Sequence, residues 1–328
     1  MTTTSGATAT KAPRGSYTFL REAADIEQLV DRYDNFLFDC DGVIWSGGVA
    51  LPGVVSVLNK LRARGKHILF VTNNASKSRR ILLDMFKRFG IDATLEEVYS
   101  SAFATALYIK NVLHMPTDRK VFVMGMQGLE EELQLAGYTT LGGTAPETVK
   151  IEGTDFAPLL VDGELDHSVG AVVCGIDTSL TYVKMARAFR YLVRPGATGE
   201  VRAGEVGGGC HFVCTNSDAT FPSKEYTWPG AGAVWAGLRE AARREPVLIG
   251  KPNQPMIDTI FADGSLNRAR TIMVGDRLNT DIAFGQRGGV DTLLVLTGIA
   301  SEEDVHAEDA PAVPTYIVNG LGDLDVLP

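Results

Sequence analysis

The stretch NFLFDCDGVIW, Asn35–Trp45, decides how the rest of the chain is read. Asn35–Phe38 has the character of a buried strand. The chain then sets two carboxylates, Asp39 and Asp41, on either side of Cys40 and follows them with Gly42. Carboxylates at the end of an apolar run are costly unless they find partners. On an extended backbone, positions i and i+2 point to the same side, so both acids reach one pocket.

The flanking sequence repeats one rhythm. Asp25–Tyr33 reads as a short helix ahead of the strand. Val54, Val57, Leu58 and Leu61 recur at helical spacing up to a stop at Gly65, His67–Val71 is a second strand, and Arg79–Phe89 a helix ended by Gly90. The pattern returns near the C-terminus. PVLIGKP (246–252) reads as a strand running into Gly250-Lys251-Pro252. RTIMVGDRLNTDIAFG (270–285) reads as a strand ending at Asp276 with a helix from near Asp281, and DTLLVLTG (291–298) as another strand. Strand–helix alternation predicts an α/β fold, a doubly wound parallel-sheet, Rossmann-like core. In such sheets ligands bind at the carboxyl ends of the strands, where this reading places Asp39, Asp41, Thr72, Lys251 and Asp276.

Between the two blocks lie apolar strands RKVFVMG and SVGAVVCGID, a helix over Leu180–Tyr191, and a strand CHFVCTN. They make a second, inserted α/β unit over 115–245. The core then comprises 22–114 and 246–328, with 1–21 as a tail. The Gly-rich RPGATGEVRAGEVGGG (194–209) lacks the Gly-Lys-Ser/Thr ending of a P-loop and reads as a flexible excursion of the inserted unit.

The candidate residues share one chemistry. If Asp39 and Asp41 both ionise they repel, and a divalent cation removes the conflict. Mg²⁺ commonly takes one or two carboxylates plus substrate phosphate, with Asp276 as a further acidic ligand. Asp281 either supports the metal's waters or caps a helix. Lys251 offers a point charge for phosphate. Thr72, with Asn73 and Asn74, offers a hydroxyl, amides and backbone N–H groups, or else a simple turn. Together they describe phosphoryl transfer. Asp39 acts as nucleophile and Asp41 as general acid and then base, while Mg²⁺, Lys251 and Thr72 hold the phosphoryl oxygens.

Bulk properties fit. The 328 residues carry a net charge of −9, with 45% hydrophobic and 22% charged residues. The charge disfavours nucleic acid as a partner, and no apolar run approaches the ~20 residues that span a bilayer. Cys40, Cys174, Cys210 and Cys214 read as buried thiols, with a Cys210–Cys214 redox pair as the alternative. Met1–Arg21 has no Asp or Glu, six Thr and two Ser. That composition suits either a transit peptide or a plain flexible tail.

DCDGVIW (39–45), VTNN (71–74), GKP (250–252) and VGDRLNTDI (274–282) resemble motifs one to four of the haloacid-dehalogenase superfamily of phosphatases. The place of the insertion resembles the large α/β cap of the subgroup containing 4-nitrophenyl, pyridoxal and phosphoglycolate phosphatases. QLAGYTTLGG, SVGAVVCGID, CTNSDA and REPVLIGKPN resemble stretches of the photosynthetic 2-phosphoglycolate phosphatases. The resemblance implies metal ligation by Asp39, Asp276 and the main-chain carbonyl of Asp41, with Asp281 supporting. It implies phosphate binding by Thr72, Asn73 and Lys251, and a cap that closes over the site, with Asn216 and Asp218 near the core. The expected activity is Mg²⁺-dependent hydrolysis of 2-phosphoglycolate, a small-molecule phosphate ester, in the chloroplast stroma or alternatively the cytoplasm, by a homodimer joined through the cap. The alternatives are a pyridoxal-phosphate or broad-specificity phosphatase of the same subgroup, a phospho-receiver domain, and a catalytically silent binding module.

Overall fold

The computed structural model describes residues 17–146, 165–200, 209–222, 226–262 and 264–327. Its larger sheet has seven parallel strands. In spatial order they are Thr18–Phe19, Tyr316–Val318, Asp291–Val295, Thr271–Gly275, Asn35–Phe38, His67–Thr72 and Val98–Ser100. Successive side chains on each strand alternate between two apolar layers. Phe36, Phe38, Ile272 and Val274 enter one, with Leu29, Leu58, Leu61 and Phe86 from the helices Ala23–Arg32, Val54–Ala63 and Arg79–Arg88. Leu37, Val71 and Met273 enter the other, with Ala102, Ile257 and Phe284 from the helices Ser101–Leu107, Gln254–Ile260 and Ala283–Gly288. Burial on both faces is why these strands are almost continuously apolar.

The second sheet has five parallel strands, in the order Val247–Leu248, His211–Cys214, Val169–Cys174, Lys120–Met124 and Thr140–Gly142. Thr181 caps the helix Tyr182–Val193 by accepting from Lys184 N, and Ala188, Tyr191 and Leu192 pack that helix onto the sheet. No helix among the described residues is long and apolar enough to cross a membrane.

Two expectations are corrected. PVLIGKP is not a core strand: Val247 and Leu248 pair with Val213 and Cys214, so the second unit extends past 245 and Lys251 follows a strand of that unit. The tail ends before residue 21, because Thr18–Phe19 adds an edge strand to the core sheet and Tyr17 Oη bonds Glu302 Oε1 at 2.8 Å. Residues 1–16 lie outside the described residues, as do 201–208 of the Gly-rich stretch. The cap is also joined to the core by continuous packing. Val121, Leu129, Leu133 and Val213 share an apolar cluster with Leu37, Val71 and Met256, and the helix Gln127–Leu135 lies against Ser101–Leu107.

A feature the sequence reading passed over follows the two acids directly. Trp45–Ser46 and Val49–Ala50 form an antiparallel hairpin, with Gly47 and Gly48 at φ 59° and 81°. Two adjacent positive φ values are what a tight two-residue hairpin turn demands, and glycine supplies them without strain.

Candidate active site

Three strand ends of the core sheet converge. The strand Asn35–Phe38 delivers Asp39, whose amide donates to Val274 O at 2.9 Å and so fixes it beside the neighbouring strand. That neighbour ends at Gly275 and delivers Asp276. The chain then makes a single π-helical turn, Leu278–Ile282, before the helix Ala283–Gly288, and Asp281 sits in that turn. Such turns recur where a functional side chain has to be re-aimed. Carboxylate oxygens of Asp39, Asp276 and Asp281 all lie within 4.8 Å of one another, and all three residues are buried.

Lys251 sits among these acids. Its Nζ is 2.6 Å from Asp39 Oδ1, 2.7 Å from Asp281 Oδ1 and 2.7 Å from Val71 O. The contact with Asp281 is an ion pair without the directionality of a hydrogen bond. The lysine is only 2% exposed. It arrives from the second unit's sheet through Gly250, whose amide donates to Thr215 O at 2.7 Å.

Electrostatics follows from this burial. Desolvation drives the Asp39 carboxyl well above the usual carboxylate range, Lys251 opposes the shift, and Asp281 and Asp276 add to it. Burial pushes Asp276 up to about 7, with repulsion from Asp281 second. The paired acids raise Lys251 against its own desolvation, so it stays charged. Three acids facing one lysine would leave buried negative charge uncompensated if all of them were ionised.

The same donors fit a hard, oxygen-seeking cation. Space for one is kept around Asp276. Gly42 holds φ +88°, and a Cβ there would lie 2.5 Å from Asp276 Oδ2; at Gly298 it would lie 1.9 Å from the same atom. Asp276 itself is steadied by the amide of Ile299, which donates to Oδ2 at 2.9 Å.

The remaining candidates separate by role. Asp281 does not cap the helix Ala283–Gly288 that starts after it; its Oδ2 accepts from the amides of Asp276 and Arg277 at 3.2 and 3.1 Å, holding the loop that presents Asp276. Thr72 is buried, and its Oγ1 accepts from Asn74 N at 3.1 Å, leaving the hydroxyl proton free to donate. Asn74 closes a local turn by accepting from Ser76 N and Oγ. The side chain of Asn73 is engaged within the protein. Its side-chain N–H groups go to Asp218 Oδ2 and Lys251 O, both at 3.0 Å, and its carbonyl accepts from Asn216 Nδ2 at 2.8 Å and Ser101 Oγ at 2.7 Å. The side chain is thus committed to joining the two units, and Asn216 and Asp218 are its partners from the second. Asp41 stands apart from the three-acid cluster. Its carboxylate is exposed and accepts from Trp45 Nε1 at 2.8 Å. Trp45, Ser101 and the Val71 carbonyl were not among the sequence candidates.

All four cysteines are free and buried. Burial pushes the Cys210 thiol up to about 11 and Cys214 well above the ordinary thiol range. Cys214 faces Cys174 across the parallel strands, not Cys210, so the Cys210–Cys214 redox pair is not supported. Protonated, buried thiols behave as small apolar side chains.

The chain as a whole is similar to known proteins. The family model for haloacid dehalogenase-like hydrolase matches residues 36–139, and a second, HAD-hydrolase-like, matches 248–324. A 4-nitrophenylphosphatase of Schizosaccharomyces pombe is 41% identical over 306 residues, covering 93% of this chain and 97% of that protein. The chain belongs to the haloacid dehalogenase-like hydrolases. Phosphoglycolate phosphatase 2 of Arabidopsis thaliana is 40% identical over 307 residues, covering 93% and 96%. Among solved structures, a glycerol phosphate phosphatase from Mycobacterium tuberculosis in complex with magnesium superposes with a TM-score of 0.69 at 28% identity, covering 90% of this chain and 77% of that one. As a hydrolase of this family, the chain is not a phospho-receiver domain.

Proposed function

We propose that the chain is a Mg²⁺-dependent phosphomonoester hydrolase that converts 2-phosphoglycolate to glycolate and phosphate through a phosphoryl group carried on Asp39. The observation that carries the phosphoryl-transfer reading is the approach of Lys251 Nζ to Asp39 Oδ1, 2.6 Å, beside Asp276 and Asp281. Asp39, Asp276 and the main-chain carbonyl of Asp41 would hold Mg²⁺. When bound, the cation offsets the charge of the buried carboxylates and of the phosphoryl oxygens.

In the first half-reaction an Asp39 oxygen forms a bond to phosphorus as the ester P–O bond breaks. Asp41 gives its proton to the departing alkoxide. Lys251 and the Thr72 hydroxyl hold the phosphoryl oxygens, where negative charge gathers. In the second half-reaction Asp41 takes a proton from water, the water oxygen bonds to phosphorus, and the Asp39–phosphorus bond breaks. Phosphate leaves, and both acids return to their starting states. Uncatalysed phosphate-monoester hydrolysis is among the slowest of reactions, with accelerations up to ~10²¹, so covalent, electrostatic and acid–base contributions act together.

The substrate assignment rests on likeness to the Arabidopsis enzyme. A broad-specificity phosphatase is the second reading, favoured by the likeness to the yeast 4-nitrophenylphosphatase. A panel of 2-phosphoglycolate, glycerol phosphate, pyridoxal phosphate and 4-nitrophenyl phosphate decides between them. Our reading expects kcat/KM for 2-phosphoglycolate to exceed the others by about tenfold or more, the scale of discrimination one or two specific contacts supply. Similar values across the panel leave the reaction class standing and remove the substrate claim. A homodimer through the second unit and an organellar location, the latter resting on the acid-poor N-terminus, are part of the same proposal. Sedimentation of the purified chain and imaging of the tagged full-length chain test them.

A further inference from the structure

We propose that Trp45 is a positioning residue for Asp41, holding one carboxylate oxygen so that the other, Oδ2, does the proton transfer. The inference rests on the phosphatase reading above and assigns a part in it that none of the four motif acids or the lysine supplies.

Trp45 Nε1 donates to Asp41 Oδ1 at 2.8 Å. The indole is 3% exposed and fixed against the rings of Phe86 and Phe89, with centroids 5.1 and 5.7 Å away. Its backbone is held as firmly. Trp45 N donates to Cys40 O at 3.1 Å, Gly42 N donates to Trp45 O at 2.7 Å, and Asp41 and Trp45 form a β-bridge. An exposed carboxylate is thereby tied to a buried, closely packed donor at the foot of the Gly47–Gly48 hairpin. Among the described residues, Oδ2 has no protein partner.

The identity of the donor matters. Indole N–H donates and cannot accept, so it never competes for the proton Asp41 has to pass on. A side chain held by packing positions a reacting group without a reorganisation cost at the moment of reaction. The simpler role is that a buried indole N–H needs an acceptor and Asp41 provides it. Both roles predict some loss of stability when the N–H is removed. Only positioning predicts that the loss of rate depends on the leaving group.

The test compares two esters in one protein preparation with Mg²⁺. 4-Nitrophenolate departs without protonation, whereas an alkoxide needs the acid. The alkyl ester is 2-phosphoglycolate, or whichever alkyl ester of the panel is turned over best. The variants are Trp45→Phe and the chain with 3-benzothienylalanine at position 45, which keeps the ring shape and removes the N–H. We expect kcat/KM for the alkyl ester to fall about tenfold or more, a share of the 10²–10⁴ that acid–base catalysis contributes, while the aryl ester stays within about twofold. Equal losses for both esters, no loss for either, or a larger loss for the aryl ester overturns the assignment. If Trp45→Phe does not fold, the benzothienyl chain gives the same ratio. A wild-type chain that hydrolyses no phosphate ester overturns the phosphatase reading itself, a different outcome from an active enzyme whose alkyl-to-aryl ratio does not move.

Discussion

Asp39→Asn is expected to lower turnover of every phosphate ester by about 10⁴-fold or more, because no other group in the site replaces a covalent nucleophile. Structure should survive the change. Asparagine keeps the shape of the side chain and removes a charge that burial penalises. Lys251 retains its ion pair with Asp281 and its bond to Val71 O. Thermal melting should therefore stay at or above the wild-type midpoint, and titration calorimetry with phosphoglycolate and Mg²⁺ should still show binding. Activity within tenfold of wild type would remove Asp39 from the nucleophile role. Lost activity accompanied by lost folding would leave the role to be judged by the covalent adduct described below.

Lys251→Met has a different signature, because it affects stability and rate together. The lysine is the cation among Asp39, Asp276 and Asp281, and removing one partner of a buried ion pair costs about 3–5 kcal/mol. The pH dependence of that loss has a definite sign. In the wild type the raised lysine stays protonated, so its contribution is present throughout the neutral range and is lost only as pH rises through its elevated folded value. In the variant the acids have lost their counter-charge, and burial already raises Asp39 and Asp276. Raised carboxyls bind protons in the folded state that the unfolded chain has released, so the variant should lose stability as pH rises from about 4 toward and past 7. Melts of wild type and variant at pH 5 and pH 8 should show the larger gap at pH 8, with added Mg²⁺ narrowing it. Turnover should fall about 10³-fold through loss of phosphoryl-oxygen stabilisation. An equal gap at both pH values would mean that the lysine does not balance the acids.

The sequence carries the core clearly because its signals are local. Phe36, Leu37 and Phe38 announce a strand buried on both faces, and the acids after it announce a strand end. The same holds for Ile272–Val274 followed by Asp276. What the sequence hides is set by pairing at a distance. Val247–Leu248 reads as one more core strand by its apolar character, yet hydrogen bonding to Val213 and Cys214 puts it in the other sheet. Lys251 reaches the acids all the same, from a turn in which Asn253 N donates to Gly250 O at 3.0 Å. Thr18–Phe19 is a two-residue edge strand without periodicity to betray it.

Side-chain commitments were the least legible part of the site. The residue type of Asn73 suits phosphate, but Asp218, 145 residues away, claims its amide. The hydrogen bond from Trp45 to Asp41 spans only four residues, yet it depends on a turn and a hairpin whose geometry residue types alone do not specify. Asp281 illustrates a mixed case. Its importance was visible from its spacing after Asp276, whereas its role as acceptor for two loop amides came from a π turn that no helix-capping rule anticipates.

If the phosphoryl group passes through Asp39, it should be caught there once the second half-reaction is blocked. In Asp41→Asn the nucleophile is intact, 4-nitrophenolate still departs without an acid, and the base needed for the second half-reaction is gone. Mixed with 4-nitrophenyl phosphate and Mg²⁺, quenched in acid and digested, this chain should release about one equivalent of nitrophenolate in a burst and carry a single phosphoryl group that mass spectrometry places on Asp39. A burst with the phosphoryl group on another residue, or full turnover to free phosphate with no adduct at any time, would contradict the account.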